Sequence, residues 1–266
     1  MSGSGDGSES RAGNGAERIA KRIARAGLCS RREAEAWIAA GRVAVDGEVL
    51  ASPAVTVRPG QRVTVDGKPL PEAEPARLFR YHKPKGVMTT ARDPEGRPTI
   101  YADLPPELPR LMPVGRLDFT SEGLLLLTND GELKRRLELP STGWLRRYRV
   151  RVFGAVQDPL LARLAKGLTV DGIVYGPIEA RLDRVQGDNA WLTVALREGK
   201  NREIRHVMEH LGLTVNRLIR TSYGPFQLGL LRPRAVEEVR PKVLKEQLGA
   251  VFAASQPRRH PRKSGG

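Results

Sequence analysis

The chain is predicted to be α+β, with a small helix–helix–hairpin module followed by a larger domain built on mixed, mainly antiparallel sheet. Three observations predict this. In the second part, several strand-like runs follow one another with no helix between them, which argues against a doubly wound parallel sheet. The stretch DGKPLPEAE at 66–74 breaks the apolar patterning once, with two prolines among turn residues. Of the 266 residues 39% are hydrophobic, and 28 glycines bring the apolar share to about half, enough for a sizeable core.

Residues 1–16 (MSGSGDGSESRAGNGA) carry no periodic apolar pattern and read as a disordered tail. Gly3, Gly5 and Gly7 imitate a phosphate loop, but no strand precedes them and no helix follows at the right distance. The first domain spans 17–66. A short helix at 17–26 is closed by Gly27. Ser30-Arg31-Arg32-Glu33 is a capping box that opens a second helix, ended by Gly41. Val43 and Val45 alternate into Asp46-Gly47, a hairpin turn, and Val49 resumes the alternation. A linker is expected at 67–75.

The second domain, 76–254, offers strands at 78–82, 87–90, 124–128, 148–153, 168–175, 178–185, 190–196, 214–220 and 235–240. Asp158-Pro159 reads as a helix cap with proline in the first turn, and Gly167 as that helix's end. A further helix covers 201–211, capped by Gly212, and Pro241 opens the last. Residues 255–266 form a basic tail, in which QPRRHPRKSGG has four basic side chains and no acid.

Charge narrows the function. Lys+Arg number 45 against 30 Asp+Glu, a net charge of +15 that calls for a polyanionic partner. No apolar run approaches the roughly eighteen residues of a membrane span, and no apolar signal segment opens the chain. The expected partner is therefore nucleic acid, with no membrane. The single cysteine, Cys29, excludes an internal disulfide and a cysteine-built zinc site and fits a reducing cytoplasm. On the first helix Ile19, Ile23 and Ala26 form one stripe, while Arg18, Lys21, Arg22 and Arg25 form another. Arg31 and Arg32 add charge at the next helix. A solvated face is the plain alternative, but four stacked cations without acids at i+4 repel one another unless an external anion binds, which favours a phosphate-binding face.

His206 and His210 share a helix face, but HVMEH is not HExxH, and no metal site is expected. No serine sits in a G-x-S-x-G elbow. The outstanding segment is PVGRLDFTSEGLLLLTNDG at 113–131, a polar loop, a buried strand and a sharp Asn129-Asp130-Gly131 turn. Asp118 lies between Leu117 and Phe119, with Arg116 two residues away. By composition alone it reads as a loop-capping carboxylate.

GRLDFTSEGLLLLTNDG closely resembles the catalytic motif of rRNA pseudouridine synthases of the RsuA/RluB type. YHKPKGVMTT at 81–90 resembles that family's first motif, and REGKNREIRHVMEHLGLTVNRLIRTSYGPFQLGLL at 197–231 its third, nearest the large-subunit branch. KRIARAGLCSRREAEAWIAAGRVAVDG resembles the S4-type RNA-binding domain these enzymes carry. The resemblance implies an α+β fold of S4-type module and pseudouridine-synthase catalytic domain, with ribosomal RNA as partner. No cofactor is expected, the cysteine usage fits a cytoplasmic location, and with no interface signal in the sequence a monomer is expected.

Residue by residue, Asp118 matches the aspartate that acts on the target uridine to break its C1′–N1 bond and allow reattachment at C5. Arg116 matches the arginine that takes the flipped nucleotide's place in the RNA. Tyr148 matches the aromatic that stacks on the base, although Leu145-Arg146-Arg147-Tyr148 lacks the family's usual acidic–lysine lead. Arg205 matches the basic residue that pairs with the catalytic carboxylate, with Arg202 or Lys200 as the alternative partner should Arg205→Met stay active, and Leu218 lines the base pocket.

The chemistry is consistent with this set. Isomerisation at a glycosidic bond needs no external redox agent or metal. It needs an ionised carboxylate beside an apolar pocket, where burial raises the carboxyl pKa and a nearby arginine offsets the penalty. Flipping a base costs stacking, which an aromatic platform repays by about 1–3 kcal/mol. Two alternatives stay open: the same reaction on 16S rRNA, and a non-catalytic rRNA-binding assembly factor in which Asp118 is structural.

Overall fold

Caps and tight turns shape the first part of the chain. The computed structural model describes residues 15–249 and Phe252, and the chain divides into two units after Glu74. The expected tails therefore lie almost wholly outside the described residues. Strand β1 (Glu17–Arg18) leads into helix α1 (Ile19–Arg25), so the expected helix loses its first two residues to a pairing with β4 (Thr56–Val57). Helix α2 (Arg31–Ala39) begins with the expected capping box: Glu33 N donates to Ser30 Oγ at 3.2 Å, and Ser30 N donates to Glu33 Oε2 at 2.8 Å. Strands β2 (Val43–Val45), β3 (Glu48–Val49), β5 (Val63–Val65) and β6 (Lys68–Pro69) form an antiparallel sheet in the order β3-β2-β5-β6. Its hairpins turn at Asp46-Gly47 and Asp66-Gly67, where both residues of each pair have positive φ. The expected linker thus begins as the second arm of a hairpin. Ile19, Ile23, Ala34, Ile38, Val43 and Val63 close the small core.

The second unit contains β7 (Leu78–Lys83), β8 (Met112–Val114), β9 (Glu122–Thr128), α3 (Gly131–Glu138), β10 (Arg146–Phe153), α4 (Asp158–Leu164), β11 (Leu168–Val170), β12 (Ile173–Tyr175), β13 (Ile178–Gln186), β14 (Asn189–Leu196), α5 (Glu203–His210), β15 (Thr214–Tyr223), β16 (Phe226–Gln227), β17 (Val236–Glu238) and α6 (Pro241–Leu248). The main sheet runs β13-β14-β10-β15-β9-β7-β17, with β8 on β9 and β16 on β15. Among the described residues β15–β9 is the one parallel pair of this sheet, which is therefore mixed and mainly antiparallel.

Four local expectations change. Residues 87–90 are a loop with a single bridge from Met88 to Thr99, because the side chain of Thr89 is spent on the loop at Leu117. The run 168–175 is a hairpin, split at Asp171-Gly172, where both residues have positive φ. Asp130 begins a helix rather than ending in a turn: its Oδ1 accepts Leu133 N at 2.6 Å, and Leu133 and Leu137, four apart, are buried. Asp158 lies inside α4 and Gln157 takes the cap position.

The sheet has two unlike faces. One carries Tyr148, Val150 and Val152 of β10, Leu192 and Val194 of β14, Leu218 of β15 and Leu125 of β9, packed with α4 and α5 into the larger core. On the other face Leu78, Leu124 and Leu126 pack with Leu133, Leu137, Leu244 and Leu248 of α3 and α6. Among the described residues, no helix extends that second cluster over β10, β14 and β13.

Candidate active site

Gly115 turns the chain out of β8 with φ +68°, and its amide donates to Glu138 Oε1 at 2.5 Å. The loop that follows is fastened carbonyl by carbonyl. Leu117 O accepts Thr89 Oγ1 (2.7 Å), Asp118 O accepts Lys83 Nζ (3.0 Å) and Phe119 O accepts Gly86 N (2.8 Å). Thr120 O accepts Arg205 Nη2 (3.2 Å), and Ser121 O accepts Lys83 Nζ (2.9 Å). Lys83 is fully buried and spends its remaining donor on Pro84 O at 3.0 Å. Burial pushes its amine down to about 8, against the attraction of Asp118 and Glu122. Parts of the first and third motifs therefore act as clamps on the Asp118 loop.

Above the loop lies a cleft of about 310 Å³. Of the residues singled out in the sequence, Arg116, Asp118, Tyr148 and Leu218 line it together. Tyr148 and Leu218 supply buried apolar wall, and the side chain of Asp118 is 30% exposed, so the carboxylate reaches both protein and solvent. A bulge in β15 at Thr221 sets Tyr148 opposite Arg220, while Arg147 stays opposite Ser222.

The expected pairing of Arg205 with the carboxylate is not made. Arg205 donates to Thr120 O and to Val215 O (3.0 Å), both backbone atoms, and burial lowers its pKa more than Asp118 raises it. The ion pair to Asp118 comes from Arg202, whose Nη1 lies 3.8 Å from Oδ2. Arg202 holds a left-handed backbone (φ 49°, ψ 25°) at the start of α5, an uncommon conformation for arginine. Arg205 is thus a second clamp, placed beneath the loop that Arg202 faces from the cleft.

The sequence reading missed several lining residues. Arg220 is buried, donates Nε to Leu124 O at 2.7 Å and lies over the Tyr223 ring at 5.2 Å. Its position two residues after Leu218 on one strand was the available signal. Arg146 stacks on the same ring at 4.7 Å and donates to its hydroxyl at 3.1 Å. With Arg116, Lys200 and Arg202 they make the cleft strongly cationic. Glu203 also lines it, and burial together with Glu198 pushes its carboxyl up to about 7. Such a site offers a carboxylate, a planar aromatic wall and several anion-binding groups around one small apolar slot.

In the first unit, Arg18, Arg31 and Arg32 are exposed, and no acid of the described residues lies within 4 Å of them. The expected absence of acidic partners does not hold for the whole stripe. Glu17 Oε1 lies 3.9 Å from Arg22 and 3.8 Å from Arg25, because β1 brings it to the foot of the helix.

Comparison with known proteins gives the family. The RNA pseudouridylate synthase family matches residues 77–210, and the S4 domain family matches residues 17–63. The chain is 48% identical over 229 residues to an uncharacterized RNA pseudouridine synthase of Rickettsia bellii, covering 86% of this chain and 99% of that one. It is 43% identical over 224 residues to ribosomal large subunit pseudouridine synthase B of Haemophilus influenzae, covering 82% of this chain and 63% of that protein. The fold is similar to a crystal structure of a pseudouridylate synthase with TM-score 0.61 and 26% identity, over 87% of this chain and 99% of the other.

Proposed function

The chain belongs to the RNA pseudouridylate synthase family and is an RNA pseudouridine synthase, an isomerase; from that premise we propose that its substrate is one uridine of the large-subunit, 23S, ribosomal RNA. The choice of subunit rests on the 43% identity to proteins named ribosomal large subunit pseudouridine synthase B. The observation that carries the assignment of residues is the convergence of Arg116, Asp118, Tyr148 and Leu218 on one cleft, from a loop and two strands far apart in the chain.

In this reading the uridine is flipped into the cleft, Tyr148 stacks on its base and Leu218 closes the apolar side. Arg116, exposed and without an acidic neighbour within 4 Å among the described residues, fills the gap left in the RNA. Asp118 acts on the uridine: the C1′–N1 bond breaks, the base turns, and C5 bonds to C1′. C5 then loses its proton and N1 gains one, so product and substrate are isomers and no co-reactant is consumed. Arg202 forms an ion pair with the carboxylate from the cleft side, and Arg205 holds the loop beneath it. Residues 17–66 dock RNA through Arg18, Lys21, Arg22, Arg25, Arg31 and Arg32, and 76–254 carry the chemistry. The protein acts as a monomer in the cytoplasm.

Pseudouridine mapping on both ribosomal RNAs tests this, in cells lacking the protein and complemented with wild type or Asp118→Asn. The expected result is one 23S site that returns only with wild type. A returning 16S site would move the substrate to the small subunit. A site restored in full by Asp118→Asn would remove Asp118 from the mechanism.

A further inference from the structure

The bare half of the sheet is basic. Strand alternation sends Tyr148, Val150 and Val152 to the cleft side, so Arg147, Arg149 and Arg151 stand on the opposite face. Arg181 and Arg184 of β13, Arg217 of β15 and the half-buried Trp191 of β14 share that face by register. Arg217 is neutralised by Glu122 at 2.9 Å and Arg181 by Asp183 at 3.2 Å. Among the described residues no acid lies within 4 Å of Arg147, Arg149, Arg151 or Arg184.

We propose that this face is a second RNA-docking surface, which binds the phosphodiester backbone of a stretch of RNA other than the one in the cleft. Three features select that partner. Arg147, Arg149 and Arg151 repeat every second residue, about 6.6 Å apart along a strand, a spacing close to that of successive phosphates on an extended nucleic-acid strand. Arg151 lies opposite Arg217 across the ladder, but Glu122 already neutralises Arg217, so the three β10 arginines are left for phosphate.

The second feature is chemical. All of these cations are arginines, whose planar fork binds phosphate oxygens two at a time, and the six of them outnumber the three carboxylates of the same face, Glu122, Glu179 and Asp183. The third is Trp191: the guanidinium of Arg149 lies 4.7 Å from its ring centroid, which makes a cationic aromatic platform on which a base can stack. Because the cleft opens on the other side of the same strands, one nucleotide cannot use both sites. The surface would grip structured RNA that wraps past the edge strand β13, adding affinity without reading the target uridine.

The test uses the full-length protein with Arg147→Gln, Arg149→Gln and Arg151→Gln combined, all on exposed or half-buried side chains, with thermal unfolding as a check on folding. The probe is in vitro transcribed 23S rRNA, bound by filter assay over a range of KCl. Losing three phosphate contacts should lower the slope of log K against log salt by about 2–3. The rate at saturating RNA should stay unchanged while the RNA concentration for half-maximal rate rises. Trp191→Ala should weaken binding with the slope intact. An unchanged slope and affinity in the triple variant would overturn the proposal. So would wild-type binding to naked RNA combined with weaker association with ribosomal particles, which would point to a protein partner. Asp118→Asn measured in parallel should keep the full salt slope while losing turnover, so failure of the catalytic assignment registers separately.

Discussion

Gly123→Ala is the sharpest test of how the site is held. Gly123 has φ +101°, a conformation rare for residues with a side chain, and it lies where β9 meets β15. A Cβ there would come within 2.3 Å of Arg220 O and 2.7 Å of Arg220 N. Both are backbone atoms and cannot swing away. Reaching ordinary contact requires the strands to part by roughly an ångström, in an interior packed as densely as a crystal. That separation strains the parallel β15–β9 pairing and the bond from Arg220 Nε to Leu124 O, 2.7 Å long.

The cost combines about 1–3 kcal/mol of backbone strain, about 1–3 kcal/mol of overpacking and about 1.5–3 kcal/mol for the charge-assisted bond. A destabilisation of about 4 kcal/mol or more is expected, a large part of a typical domain's stability. Urea unfolding followed by Trp144 and Trp191 fluorescence measures it, in a Trp37→Phe background that silences the first unit. Gly131→Ala is the control, since nothing lies within 4 Å of its Cβ position and its φ is not positive. It should change stability by no more than about 0.5 kcal/mol. A loss below about 1 kcal/mol for Gly123→Ala would refute the reasoning, since the strands would then part almost freely.

Two other predictions concern the clamps. With Lys83 at about 8 in the folded protein against an ordinary 10.5, the unfolded chain binds more protons between those values, so stability from this group rises with pH across that window, by about 3 kcal/mol in all. The stability difference between wild type and Lys83→Met, from urea midpoints at pH 7.5 and 10, should widen accordingly; a constant difference would mean that the amine keeps its proton throughout. Arg202→Gln removes a solvent-exposed pair and should cut turnover by about tenfold at most, whereas Arg205→Met also strands two backbone carbonyls and should lower stability by about 1–3 kcal/mol along with activity. Stability unaffected by Arg205→Met, with turnover abolished, would restore Arg205 as the direct partner of Asp118.

Much of the architecture could be read from local rules. The Ser30 capping box and the Asp46-Gly47 turn each need only a few neighbouring residues, and both form as expected. So do the alternating strands expected at 148–153 and 190–196, whose period of two exposes their buried face directly. Local rules failed where one residue type serves two purposes. Asp130-Gly131 suits a turn, yet Asp130 caps a helix, because Leu133 and Leu137 find a hydrophobic surface on β9. Residues 87–90 alternate like a strand, yet they serve as a brace.

The sequence by itself determined the chemical vocabulary of this protein: a basic surface, a carboxylate among apolar neighbours, an aromatic on a strand, and motifs whose order is that of one family. Tertiary structure decided which of these groups meet. Asp118 faces Arg202, while Arg205, three residues later, turns beneath the loop to hold Thr120. Lys83 became a buried three-way clamp although its type favours the surface. The bare arginine face exists because α3 and α6 cover only part of the sheet. Short-range signals set the direction of a side chain relative to its own strand or helix, whereas an ion pair or a clamp depends on the packing of elements distant in the chain, and no local pattern encodes that packing.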